Sequence, residues 1–214
     1  AKNFNHEQTA KSIADKNPKL AVFVIYGQQP SASTQCMPAG AKTCNKLNSI
    51  SNNEIKTLVM GTHASALPKR TLEEEPYDFV CQGEGPITIS NLINIIKNNK
   101  KDYDKVPGLW FRDKDKNIVA NSKTKMFDNL DLHLPGQDWS FLDMSKYKAH
   151  NWHSFGRLDS RNKYASLQTS LGCPFKCTFC CINAPFERNT IRFWSAKHIF
   201  KQIKTLVEDY GIFN

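Results

Sequence analysis

Short apolar runs of strand length alternate with polar stretches of helical length through the first half of this chain, and that alternation restricts the fold more than any other feature. Residues 20–26 read as a strand of buried type, 55–60 as a second and 77–81 as a third. A polar helix is expected over 5–16, and further helices over 39–50 and 68–75, where Pro68 suits a first helical turn. Residues 86–98 carry Ile89, Leu92, Ile93, Ile95 and Ile96, an apolar face at helical spacing. Residues 108–112 and 117–120 predict a hairpin across 113–116. The expected class is α/β, a doubly wound parallel sheet of flavodoxin-like type with helices on both faces.

In such sheets ligands lie beyond the carboxyl ends of the strands. Tyr26-Gly27-Gln28-Gln29 follows the first expected strand, Gly61-Thr62-His63 the second and Gln82-Gly83-Glu84-Gly85 the third. Glycine at three successive strand ends lets a ligand approach the backbone closely. Taken singly each piece says little. Gly83-Glu84-Gly85 lacks the lysine and the glycine spacing of a P-loop or dinucleotide fingerprint and reads equally as a turn before Pro86. His63 alone reads as a turn histidine.

The chemistry concentrates near the carboxyl end, in Gly172-Cys173-Pro174-Phe175-Lys176-Cys177-Thr178-Phe179-Cys180, a CxxxCxxC spacing. Three closely spaced thiolates can fill three corners of a four-iron cluster and leave one iron open to an outside ligand. A structural zinc site asks for four ligands, commonly as two separated pairs, and no second pair is present; His198 would serve only if the next helix folded back. A disulfide framework fits poorly, because the seven cysteines are odd in number and no secretory segment is in view. Cys181 adjoins the motif but reads as a small buried hydrophobe.

This loop resembles the cluster loop of the radical S-adenosylmethionine (SAM) superfamily, CxxxCxϕC with an aromatic residue at ϕ, here Phe179. The resemblance implies that Cys173, Cys177 and Cys180 bind a 4Fe-4S cluster, that the open iron takes the amino and carboxylate groups of SAM, and that Phe179 lies near the adenine. One electron would then cleave SAM to methionine and a 5′-deoxyadenosyl radical, with the protein supplying binding, orientation and exclusion of water.

Taken in order, the Gly61-Thr62-His63 turn, YDFVCQGEG over 77–85, PGLWFRD over 107–113 and NLDLHLPGQDW over 129–139 resemble the cobalamin-binding domain that precedes the barrel in one class of these enzymes. The resemblance implies that residues 26–33, 61–63 and 83–85 lie along the corrin or its nucleotide tail. Candidate cobalamin contacts are therefore Tyr26, Gly27, Gln28, Gly61, Thr62, His63, Gly83, Glu84 and Gly85. The family's first strand and the loop after it, where some members carry a lower axial histidine, would precede residue 1, and His63 is not assigned that role.

The expected organisation is a cobalamin-binding-like domain over 1–126, an interdomain linker over 127–160 and the start of a radical SAM barrel of TIM type over 161–214. Within the linker, Asp138 and Trp139 are expected to pack one domain on the other. The first barrel strand is expected over 164–169, and a helix capped by Ser195 with an apolar stripe of Ile199, Ile203, Leu206 and Val207 follows. Residues 182–186 shape the loop rim, and Arg192 and Trp194 are read as packing residues.

The formal charge of +9 is spread rather than clustered, so a solvated surface explains it better than a nucleic-acid face. The longest apolar stretch falls far short of the roughly 20 residues that cross a bilayer, and a cytoplasmic location is expected. The chain opens at Ala1 and stops just after a turn glycine, Gly211, which reads as a fragment, expected to cleave no SAM by itself. The whole enzyme is expected to methylate an unactivated carbon of a small-molecule substrate, with a reductase or flavodoxin-type electron donor. Ring formation on a tetrapyrrole-like substrate is the runner-up. A carrier module holding only a cluster or cobalamin is a further alternative, and a zinc knuckle binding RNA ranks last.

Overall fold

The structure, a computed structural model, describes residues 3–26, 32–149 and 162–213. Helix α1 (His6–Ala14) opens with a reciprocal cap, in which Asn5 Oδ1 accepts from the Gln8 amide and Gln8 Oε1 accepts from the Asn5 amide. Then come β1 (Leu20–Ile25), α2 (Ala32–Ile50), β2 (Lys56–Gly61), α3 (Thr62–Ala66), α4 (Pro68–Glu74), β3 (Phe79–Cys81), α5 (Pro86–Lys97), β4 (Leu109–Arg112) and β5 (Ile118–Ala120).

These strands form one sheet in the order β1-β2-β3-β4-β5. β1, β2 and β3 are parallel, and the expected hairpin β4–β5 continues the sheet antiparallel to β3. The order never reverses, so among the described residues there is no topological switch point. Asp78 fixes the β2–β3 register: its carboxylate accepts from the Thr57 amide at 2.8 Å and hydroxyl at 2.9 Å, and pairs with Lys56 at 3.0 Å.

Apolar residues cover both faces of the sheet. On one, Ile25, Val59 and Val80 pack with Met37 and Cys44 of α2, Ala64 of α3 and Leu72 of α4. On the other, Leu58, Met60, Phe79 and Cys81 pack with Leu92 of α5. β1 departs from the expected buried type: it is an edge strand among the described residues, and Val24 is 61% exposed. Helix α2 begins at Ala32, earlier than expected, and runs through Pro38, which cannot donate a helical hydrogen bond. Its first turn is tied down by Ser33, whose hydroxyl donates to the Ile25 carbonyl at 2.6 Å, and Met37 is buried in the next turn.

The chain divides into two compact units, Phe4–Met126 with Gly172–Thr190, and Ala1–Asn3 with Phe127–Leu171 and Ile191–Asn214. The second contains α6 (Leu130–His133), β7 (Ile191–Phe193), α7 (Ala196–Tyr210) and most of β6 (Ser170–Gly172), which pairs with β7. Ser195 caps α7 as expected, accepting from the His198 amide, and Gly211 ends it at φ +62°. Of the expected stripe only Leu206 is buried, and Ile203 is 46% exposed.

Two further expectations need correction here. The expected strand over 164–169 is not formed; the isolated bridge Lys148–Lys163 and the hydrogen bond from the Tyr164 amide to the Tyr147 carbonyl pair residues 163 and 164 with an earlier segment, and the strand starts at Ser170. Trp139 is buried inside this unit with Met144, Leu206 and Ile212, so it packs a local core, and Asp138 accepts from the Ser140 amide and hydroxyl at the head of a short turn. Among the described residues no helix is long and apolar enough to cross a membrane.

Candidate functional site

Because β1, β2 and β3 are adjacent and parallel, Tyr26 and the glycine turns over 61–63 and 82–85 stand at one end of the sheet, the glycine crevice. Gly61 stands at φ +143°, and a Cβ there would run into the Ile25 carbonyl oxygen, so β1 and β2 close together at this end only because Gly61 has none. The Ser33 hydroxyl, already bonded to Ile25, also accepts from the His63 amide at 3.1 Å. The His63 ring is held through Nδ1 by Thr34 Oγ1 at 2.9 Å, and burial, with Arg70 second, lowers its pKa. Thr62 is buried in the first turn of α3.

Gly83 is held from the next element. Its amide donates to Ser65 Oγ of α3 at 3.2 Å, and Gln82 Nε2 reaches the Ser65 carbonyl at 3.4 Å. Sequence reasoning missed α3 and with it Ser65, since a five-residue helix is too short to show a period. Gly85 leads into Pro86 at the start of α5. Tyr26 exposes 43% of its surface; burial, then the charges of Cys81 and Glu84, push its pKa up to about 12. Gly27 and Gln28 lie outside the described residues.

The cysteine motif forms an irregular loop between β6 and β7. All seven cysteines are unbridged; Cys177 is exposed, and Cys173 and Cys180 are half-buried. The Cys180 amide donates to the Cys177 carbonyl at 3.1 Å, a tight turn that carries Phe179 at its tip, 92% exposed. Asn183, another residue that sequence reasoning assigned only to the rim, accepts from the Cys173 amide at 3.0 Å and donates to the Cys173 carbonyl at 2.8 Å.

The donor set suits a cluster: the thiols of Cys173, Cys177 and Cys180, with no carboxylate or imidazole over 173–180. Among the described residues no three His, Cys, Asp or Glu side chains gather about a point that could hold a single metal ion. A cluster makes a different demand, since each cysteine takes its own iron. The loop also shares its compact unit with the glycine crevice. Lys123 Nζ pairs with Glu187 Oε1 at 3.1 Å, and the space beside Gly83 is bounded by Thr124 Oγ1 and the Pro185 carbonyl. Arg192 and Trp194 behave as packing residues, donating to the carbonyls of Phe127 at 2.6 Å and Leu134 at 2.8 Å.

No protein-family model matches the chain. It is 27% identical over 184 residues to an uncharacterized methyltransferase of Pyrococcus horikoshii, covering 85% of this chain and 37% of that protein. To the anaerobic magnesium-protoporphyrin IX monomethyl ester cyclase of a Synechocystis species it is 32% identical over 110 residues, 51% of this chain and 19% of that one. The chain thus spans well under half the length of these relatives. In fold it matches the cobalamin-dependent S-adenosylmethionine radical enzyme OxsB, solved with aqua-cobalamin and S-adenosylmethionine bound. The TM-score is 0.66 at 20% identity, over 99% of this chain and 26% of that one. At that identity the likeness establishes the fold alone.

Proposed function

We propose that this chain, which resembles the cobalamin-binding class of radical SAM enzymes in sequence and in fold, is part of an enzyme that transfers a methyl group to an unactivated carbon. The observation that carries the reading is that the cysteine loop and the glycine crevice belong to one compact unit, tied by Lys123 and Glu187. Bound together, a 4Fe-4S cluster, SAM and cobalamin supply reductive SAM cleavage and a methyl group to transfer.

The chain's own residues have distinct tasks in this reading. Cys173, Cys177 and Cys180 hold the cluster, and Phe179 offers an exposed aromatic face to the SAM adenine. Tyr26, Gly61, Thr62, His63, Gly83, Glu84 and Gly85 line the cobalamin site, with Gly27 and Gln28 continuing it. Glycine backbone at the crevice lets a large planar ligand lie close to the strand ends. Tyr26 stays protonated at neutral pH and can donate a hydrogen bond there. Residues 1–126 form the cobalamin-binding domain, 127–160 the linker and 161–214 the start of the barrel. The enzyme works in the cytoplasm with a reductase or flavodoxin-type donor, and residues 1–214 alone turn nothing over.

A second reading, ring formation on a tetrapyrrole-like substrate, is favoured by the 32% identity to the Synechocystis cyclase. The test is electron paramagnetic resonance on the full-length, anaerobically reconstituted and reduced protein, with and without SAM, beside Cys177→Ala. A four-iron signal that shifts with SAM and is lost in the variant is expected; a signal indifferent to SAM overturns the enzyme reading. Product analysis separates the two reactions, since 5′-deoxyadenosine without S-adenosylhomocysteine counts against methylation.

A further inference from the structure

Each cysteine of the loop reaches its iron through a short side chain, so the backbone around it sets where the sulfur can sit. Around Cys173 that backbone is held by one side chain. Asn183 Oδ1 accepts from the Cys173 amide at 3.0 Å, and Asn183 Nδ2 donates back to the Cys173 carbonyl at 2.8 Å. The same Nδ2 donates to Asn189 Oδ1 at 2.9 Å, and the Phe175 carbonyl lies at 3.5 Å. The carboxamide thus uses its acceptor and both donors inside the loop. The Asn183 backbone carbonyl accepts from the amides of Phe186 and Glu187, each at 2.9 Å, tying the same residue to the return limb.

We propose that Asn183 is a positioning residue for the cluster: it clamps both backbone polar groups of Cys173, fixes the first ligand, and keeps the Cys173 amide from donating to cluster sulfur. This inference rests on the cluster reading above. Two consequences follow from the geometry. Without the clamp, one thiolate is held by a mobile backbone, and loss of such outer support typically costs about 10–100-fold in metal affinity. The potential also responds, because hydrogen bonds to cluster sulfur and nearby charge both tune it.

The experiment compares three variants with the unaltered full-length protein after anaerobic reconstitution, reading iron release to a chelator and the reduction potential. Asn183→Ala is expected to release iron about 10–100-fold faster. Asn189→Ala, which leaves both Cys173 bonds intact, is expected to stay close to the unaltered protein. In Asn183→Ala the freed Cys173 amide can donate to cluster sulfur, so the potential is expected to rise, which loss of loop scaffolding alone would not cause. Asn183→Asp keeps an acceptor for that amide and loses the donor to the Cys173 carbonyl, so its iron release is expected to be slower than that of Asn183→Ala. Release from Asn183→Ala at the unaltered rate overturns the proposal. So does equally fast release from Asn189→Ala, which would assign the effect to loop cohesion, or an unmoved potential in Asn183→Ala. Failure of the unaltered protein to take up iron would instead overturn the cluster reading itself.

Discussion

The glycine crevice and the cysteine loop are built by opposite means. At the crevice, conformation is imposed from beneath by packed strands and from the side by buried hydroxyls: Ser33 joins Ile25 to His63, and Ser65 holds Gly83. The cysteine loop is more open. Cys177 is exposed, the neighbouring Phe175 is 70% exposed, and Asn183 holds both backbone polar groups of Cys173. A surface fixed by burial is ready for a large ligand before it arrives, whereas a loop fixed by a few polar bonds gains much of its order from the group it holds.

Breaking each side in turn tests that contrast. Cys177→Ala removes a proposed cluster ligand, so bound iron should fall by more than the roughly 10–100-fold typical of outer-shell changes, while the melting of the α/β unit stays unchanged. Iron content equal to that of the unaltered protein would refute the ligand assignment. At the crevice the expectation reverses. Gly61→Ala forces a side chain against the Ile25 carbonyl in a backbone region open almost only to glycine, costing at least about 1–3 kcal/mol of stability. Denaturant titration measures this, and an unshifted midpoint would show that the strand ends can separate freely.

Ser65→Ala leaves the buried Gly83 amide without its partner and should cost about 1–3 kcal/mol by the same titration, with no loss of cluster iron. The mildest effect comes from pH. Burial raises the thiols of Cys44 and Cys81 from an ordinary 9.0 to about 11, so the folded chain keeps protons that the unfolded chain gives up. That stability is whole below pH 9 and is lost as pH rises through about 11. The urea midpoint should therefore decline between about pH 9 and 11, and a flat midpoint would show that these thiols are not sealed in the core.

Much of this was legible in advance because it depends on local chemistry. Period and punctuation located α1, β1, β2, α4, β3, α5 and the β4–β5 hairpin within a few residues. Helix α3 escaped because its five residues complete barely one turn. Trp139 looked like a bridge between domains, since an aromatic residue in a polar stretch gives no sign of which surface will bury it.

The sequence by itself determined the donor set and the resemblance, because three cysteines at CxxxCxxC spacing and glycines at successive strand ends are statements about residue type and order. Tertiary structure decided the support around them. Ser65 at the Gly83 amide, Thr34 at the His63 ring and Lys123 against Glu187 each join residues 18 or more apart. Such pairings follow from how helices and loops pack, a long-range outcome that spacing along the chain does not encode.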